Sequence, residues 1–410
     1  MSRRVHVLNT LQHTQPERVA LDFGGHRSSG IAALAYPKLR QALGLPPKPV
    51  RVYDVIQQLA ILDEDVLDRF NVDTIELGRG FALNDSDWAE WVLPDGTPCQ
   101  VPAWSVPERQ PERWVIRSGS GRVLAHMPDG ALYFEQCYWP FLEKDDLSQM
   151  ENAFAECMWT AVACPPGPEA DDPQQFAATA RRFRQGTDRA IIGLFGGSLL
   201  ETGEFLYRID NFLAMLAAEP ARAHAFLDRL TELHLRNLER YLSAVGDSID
   251  VILFGDDLGM QTGPLISPHM YRQFFKPRHA LMWNTAKRLA NVKILLHCCG
   301  GVRELLPDLI EAGLDAINPV QISCTGMDAA GLKRDFGSEI TLWGGGCDTQ
   351  AVLPNGTPQQ VYDHTRQQIR ILQPGGGFVF QQVHNIMANV PAENIVAMFD
   401  AVRNQREGIP

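Results

Sequence analysis

Short apolar runs rich in β-branched residues recur along the chain, each ending in glycines or polar residues and followed by a longer amphipathic segment. Eight such runs predict strands at 18 to 25 (RVALDFGG), 73 to 80 (DTIELGRG), 190 to 197 (AIIGLFGG), 250 to 257 (DVILFGDD), 292 to 300 (VKILLHCCG), 316 to 321 (AINPVQ), 340 to 346 (ITLWGGG) and 377 to 384 (GFVFQQVH). Between them the apolar spacing becomes helical, predicting helices over 52 to 70 (VYDVIQQLAILDEDVLDRF), 267 to 290 and 357 to 372. The last two open on Ser267-Pro268 and Thr357-Pro358, a cap residue followed by a first-turn proline. Strands that alternate with helices in this order run parallel and are joined by right-handed crossovers. Eight of them close a (β/α)8 TIM barrel, an α/β fold read here as a single domain over residues 1 to 410.

One region departs from the alternation. Residues 82 to 145 concentrate tryptophans, carry the turn dipeptides Asp95-Gly96 and Asp129-Gly130, and alternate apolar with polar positions. This predicts an inserted β-meander after the second strand. Strand-to-helix loops gather at the C-terminal face of such a barrel, so the insertion is expected over the mouth. There Trp88, Trp104 and Trp139 could set specificity.

Composition narrows the class. The 410 residues carry 37 Lys plus Arg against 49 Asp plus Glu, a net charge of -12 without long runs, which argues against a nucleic-acid partner. The N-terminal MSRRVHVLNT has no apolar core of a secretory signal, and no apolar run approaches the ~18 residues of a membrane span. The eight cysteines show no regular spacing, which suggests reduced thiols in the cytoplasm and no disulfide framework.

Residues at the C-terminal ends of barrel strands share one pocket, so the strand ends supply the candidate chemistry. They bring Asp22, His26, Arg27, Arg79, Asp256, Asp257, His297, Cys298, Cys299, Asn318, Gln321, Cys347, Gln381 and His384. In a pleated strand, positions i and i+2 share a side, so His297 and Cys299 converge on one ion while Cys298 points away. Adjacent cysteines lack the CxxC spacing of thiol oxidoreductases, which argues against a redox pair. Two ligands are fewer than zinc takes, and a third comes from His384, with Cys347 as the alternative. Asp256 and Asp257 could ligate, orient a ligand, act as a base or cap a helix. The glycine-rich LFGGSLLETGEFL and LQPGGGF match neither GxGxxG nor a P-loop, and GxSxG and DxHxxG are absent.

LLHCCGGVRELLPDLIEAGLDAINPVQ, LWGGGCDTQ and GGGFVFQQVHNIMANVPAENIVAMFDAV together resemble the uroporphyrinogen decarboxylase superfamily, in its zinc- and corrinoid-dependent methyltransferase branch. The likeness is clearest over residues 248 to 403. It implies zinc held by His297 and Cys299, with His384 standing where that branch has a cysteine. It also implies a corrinoid brought by a partner protein, because this chain carries no module for one. The activity implied is transfer of a methyl group between a small substrate, an ether or a thiol, and that corrinoid. Asp257 or Asp256 would handle the proton, and Asp22, His26, Arg27, Arg79, Asn318, Gln321 and Gln381 would meet the substrate. The rival expectation is a metal-free tetrapyrrole decarboxylase using Asp22, Arg27 and Asp257, although the Arg-Gln-Ala-Gly-Arg motif of the true decarboxylase is missing. A third is a binding protein for a corrinoid or tetrapyrrole. A homodimer is an expectation of the superfamily alone.

Overall fold

The computed structural model describes residues 1–78, 84–163 and 173–404. Eight strands form one parallel sheet: β1 (Ala20–Leu21), β2 (Thr74–Leu77), β3 (Ala190–Gly196), β4 (Val251–Gly255), β5 (Lys293–His297), β6 (Ala316–Asn318), β7 (Thr341–Trp343) and β8 (Phe378–Phe380). Their order is β1-β8-β7-β6-β5-β4-β3-β2, and each of the eight predicted runs supplies one of them. The Asp73 amide donates to Leu21 O at 2.8 Å and the Leu21 amide to Asp73 Oδ2 at 2.9 Å, so the β1/β2 seam closes the barrel. The strands are shorter than the runs because the glycines and acids beyond them belong to the turns.

Two cores follow from strand alternation. Ala20, Ala190, Ile192, Val251, Leu253, Leu295, Ala316, Trp343 and Val379 fill the barrel, while Ile75, Leu77, Ile252, Phe254, Leu296, Ile317 and Leu342 face the helices. A helix that the apolar pattern does not reveal closes the N-terminal end: α1 (Arg3–Leu11) is capped by Ser2, whose hydroxyl accepts from the Val5 amide. Its buried Val7 and Leu11 join the barrel's interior core, and Arg4 pairs with Asp250 at 3.3 Å.

The helix expected over 52 to 70 is corrected. Val50–Asp54 and Leu59–Ala60 are strands, and only Glu64–Phe70 is helical. Val50, Val52 and Asp54 are buried with Arg51 and Tyr53 between them less so, a period of two that the neighbouring apolar residues disguise. The meander is present over Glu108–Gln110, Arg113–Arg117, Val123–Pro128 and Glu135–Gln136. Trp88–Val92 and Pro98–Pro102 instead form a hairpin that joins Val50–Asp54 and Leu59–Ala60 in a separate mixed sheet. The helix expected at 267 to 290 is interrupted by a π-turn over Tyr271–Phe275, next to Pro277, whose missing N–H cannot sustain a regular ladder. The helix Pro358–Leu372 has the predicted Thr357 cap, reciprocated by Gln360. No helix among the described residues is long and apolar enough to cross a membrane.

Candidate metal centre

Barrel geometry brings the candidate ligands together because each stands on, or just beyond, the C-terminal end of a strand. His297 is the last residue of β5, Cys299 follows two positions later, and His384 lies four residues beyond β8. One ligand atom from each of the three falls within 4.8 Å of the others, all three side chains being partly buried. His297 Nε2 and Cys299 Sγ are 3.4 Å apart. Cys298 is fully buried on the other side, where its sulfur accepts the Leu258 amide at 3.3 Å.

Hydrogen bonding decides which imidazole nitrogen of His297 is free. Asn318 lies 2.8 Å from the Trp343 carbonyl, and a carbonyl only accepts, so that atom is the amide nitrogen. Oδ1 therefore faces His297 Nδ1 at 2.9 Å and accepts its proton, leaving Nε2 with its lone pair toward Cys299 and His384. The same Oδ1 accepts from Ser28 Oγ at 2.8 Å, so Ser28 Oγ takes a hydrogen bond from His26 Nδ1, 2.9 Å away. His26 Nε2 in turn lies 3.1 Å from Asp22 Oδ2. A hydrogen-bonded chain thus runs from His26 through Ser28 and Asn318 to His297, with the Asp22 carboxylate beside its His26 end. Gln381 buttresses it by accepting from Asn318 Nδ2 and donating to Ser28 O at 2.9 Å.

Asp22 is wholly buried. Burial alone would raise its carboxyl, but the His26 charge and hydrogen bonds from His26, Thr74 and Trp343 outweigh it and hold the group below its ordinary range. Burial pushes His384 down to about 3, helped by the charges of His297 and His26, and burial likewise lowers His297. Both rings are therefore neutral at pH 7, the form that ligates metal. Burial and then the Asp257 carboxylate hold the Cys299 thiol well above its ordinary value, so it needs a nearby cation to become a thiolate. Two imidazoles, one thiol and an adjacent carboxylate are donors of the kinds that zinc takes.

The two aspartates expected to do proton chemistry separate. Asp257 accepts the Cys299 amide at 2.7 Å and lies 3.8 Å from His297 Nε2. Asp256 is fully buried and occupied: it accepts the amides of Leu200 and Glu201 at 2.9 and 3.0 Å and lies 3.1 Å from His279 Nε2. It thus caps the helix α2 (Leu200–Tyr207) that follows β3. Gln321 accepts the Gly300 amide at 2.9 Å and fixes the turn after Cys299. Cys347 is fully buried in the layer between sheet and helices, outside the His297, Cys299 and His384 group, and burial pushes its thiol up to about 12. Arg27 Nε is 3.7 Å from Asp54 Oδ2, and Arg79 lies outside the described residues.

The linking Ser28 and the acids Glu201 and Glu204 on α2 escape a reading confined to strand ends. Burial, then the charge of Asp257, raises Glu201 well above the carboxylate range, and burial with Asp256 and Asp257 pushes Glu204 up to about 8. The signal for them was the pair of acids in LLETGEFL, three residues apart on one helix face beside the FGDD strand end.

A solved structure of a methyltransferase from Methanosarcina mazei superposes with a TM-score of 0.59 at 16% identity, covering 98% of each chain, a likeness of fold. In sequence, 198 residues are 29% identical to a methylated-thiol–coenzyme M methyltransferase of Methanosarcina mazei, 48% of either chain. A further 194-residue alignment, 26% identical, reaches a uroporphyrinogen decarboxylase of Coxiella burnetii over 47% of this chain and 50% of that one. The chain therefore spans about half the length of the curated relatives it matches. The uroporphyrinogen decarboxylase (URO-D) family pattern matches residues 164–405, more than half of the chain, and the protein belongs to that family.

Proposed function

We propose that the protein is a zinc-dependent methyltransferase that moves a methyl group between a small substrate, a methyl ether or a thiol, and a corrinoid carried by a partner protein. The observation that carries this reading is the meeting of His297, Cys299 and His384 within 4.8 Å, with His297 Nε2 freed by Asn318. The likeness to a methylated-thiol–coenzyme M methyltransferase supports the same class of reaction.

His297, Cys299 and His384 would hold the zinc, and Asn318, Ser28 and Gln381 keep the His297 ring in its ligating tautomer. When bound, zinc supplies a Lewis acid for the substrate's oxygen or sulfur, and the corrinoid supplies the methyl acceptor or donor. Replacing a thiolate by His384 leaves the ion less neutralised, which favours polarising an ether oxygen. Asp257, 37% exposed and adjacent to both His297 and Cys299, is placed to take a proton from a thiol or return one to an alkoxide. Asp256 contributes by holding α2, which carries Glu201 and Glu204 beside Asp257.

The rival decarboxylase needs cations for the carboxylates of a tetrapyrrole. Arg27 is already beside Asp54, and Asp22 adds further negative charge nearby. The experiment supplies zinc-loaded protein with 2-methoxyphenol and free cob(I)alamin in place of the partner, following methylcobalamin in the visible spectrum. Methylcobalamin formation that requires zinc supports the reading. Carbon dioxide release from uroporphyrinogen by the metal-free protein would replace it with the rival.

A further inference from the structure

Strand β2 reads Thr74-Ile75-Glu76-Leu77, and its alternation divides cleanly. Ile75 and Leu77 face the helix layer, whereas Thr74 turns inward, its hydroxyl donating to Asp22 Oδ1 at 2.7 Å. Glu76 therefore faces the barrel axis, one step nearer the mouth. Asp22, His297, Asn318 and Gln381 obey the same parity, each two residues beyond an inward core residue: Ala20, Leu295, Ala316 and Val379. Glu76 thus belongs to the ring of polar side chains that carries the candidate metal centre.

Its bonding sets it apart from the other buried acids of the barrel. Asp73 is paired with Arg18 and the Leu21 amide, Asp250 with Arg184 and the Ile191 amide, and Asp256 with two amides and His279. Glu76 is 1% exposed, yet neither carboxyl oxygen has a hydrogen-bond partner among the described residues. The carboxyl packs so closely under the following turn that a Cβ at Gly78 would lie 1.9 Å from Oε1. A polar group kept buried without partners costs stability, and such a cost is characteristic of a position that a ligand completes.

We infer that Glu76 is a substrate-binding residue whose carboxyl meets a neutral group able both to donate and to accept a hydrogen bond, such as a hydroxyl. Burial, then the charges of Asp54 and Asp22, outweigh Arg27 and push Glu76 up to about 8, so at pH 7 it presents one O–H donor and one carbonyl acceptor. Arg27 nearby disfavours a cation at this position, and Asp22 and Asp54 disfavour an anion. The substrate class that follows is a hydroxylated methyl ether or thioether, and in naming the methyl-bearing substrate this inference rests on the methyltransferase reading.

The test uses the full chain, with 2-methoxyphenol and methoxybenzene as probes that differ only in a hydroxyl. Calorimetry on wild-type protein is expected to show about tenfold tighter binding of the hydroxylated probe, the value of one satisfied hydrogen bond. In Glu76→Leu the two affinities converge, and the melting temperature rises by a few degrees because an unpartnered acid has been replaced by an apolar side chain. Equal affinities in the wild type, a preference that persists in Glu76→Leu, or a lower melting temperature of that variant each overturns the inference. Zinc content of the same samples separates the two readings. A chain that takes up no zinc but still discriminates the probes retains the Glu76 site and loses the methyltransferase.

Discussion

The His297 tautomer depends on a single side chain, which makes Asn318→Leu an informative perturbation. Leucine nearly preserves volume but removes the acceptor for His297 Nδ1 and Ser28 Oγ, and the donors to Trp343 O and Gln381 Oε1. Loss of an outer-sphere partner of a ligating histidine weakens metal binding by roughly 10–100-fold, or about 1.4–2.7 kcal/mol. Four buried groups also lose a partner at about 1–3 kcal/mol each before relaxation, so fold stability falls by on the order of 2–5 kcal/mol. Zinc affinity is read by chelator competition at a temperature where the variant is fully folded, and stability by urea denaturation. Asn318→Asp supplies the control: it keeps an acceptor for His297 Nδ1, so it retains more zinc affinity than Asn318→Leu, while the Trp343 carbonyl still loses its donor. Wild-type zinc affinity in Asn318→Leu, or equal losses in the two variants, would refute the role assigned to Asn318.

Three further outcomes follow from the same geometry. Burial pushes Glu76 up to about 8 from an ordinary 4.5, so between those values the folded state binds the extra proton and stability falls as pH rises. Glu204 contributes in the same direction; Glu76→Gln flattens the decline, and urea titrations at pH 5 and pH 8 that lose the same stability with and without the substitution contradict it. Asp256→Ala, which strips partners from the Leu200 and Glu201 amides and from His279, lowers stability by roughly 2–4 kcal/mol. Asp257→Ala keeps the wild-type melting curve and loses methyl transfer by on the order of 10²-fold; the reverse pattern between the two would reject their division of labour. Leu11→Ala, in the α1 plug, costs about 2–4 kcal/mol and leaves zinc content unchanged; a melting temperature equal to wild type would mean that the plug adds little.

The barrel was legible because buried parallel strands read as short β-branched runs and each supplies its own terminator. The same periodicity put His297 and Cys299 on one side of β5, and the expectation of a third donor from another strand end pointed to His384, which lies within 4.8 Å of both. Other features were hidden for definite reasons. Residues 52 to 70 are apolar at both helical and strand spacing, so only the mixed-sheet partner Pro98–Pro102 reveals Val50–Asp54 as a strand. Helix α1 has polar residues interleaved with its apolar ones, and its plug role depends on the barrel it enters. Asp256 and Asp257 are adjacent and chemically identical in sequence; only their neighbours make one a helix cap and the other a neighbour of His297 and Cys299. Glu76 lies inside a predicted strand, short of its polar end, and nothing in the sequence marks that its buried carboxyl would be left without a partner.

The central claim is that His297, Cys299 and His384 form a zinc site, and elemental analysis of metal-replete protein tests it most directly. One zinc per chain is expected in the wild type and in Cys347→Ser, falling well below that in His297→Ala, Cys299→Ser and His384→Ala while each variant remains folded by circular dichroism. Substoichiometric zinc in the wild type, or zinc content unchanged by all three ligand substitutions, would contradict the account.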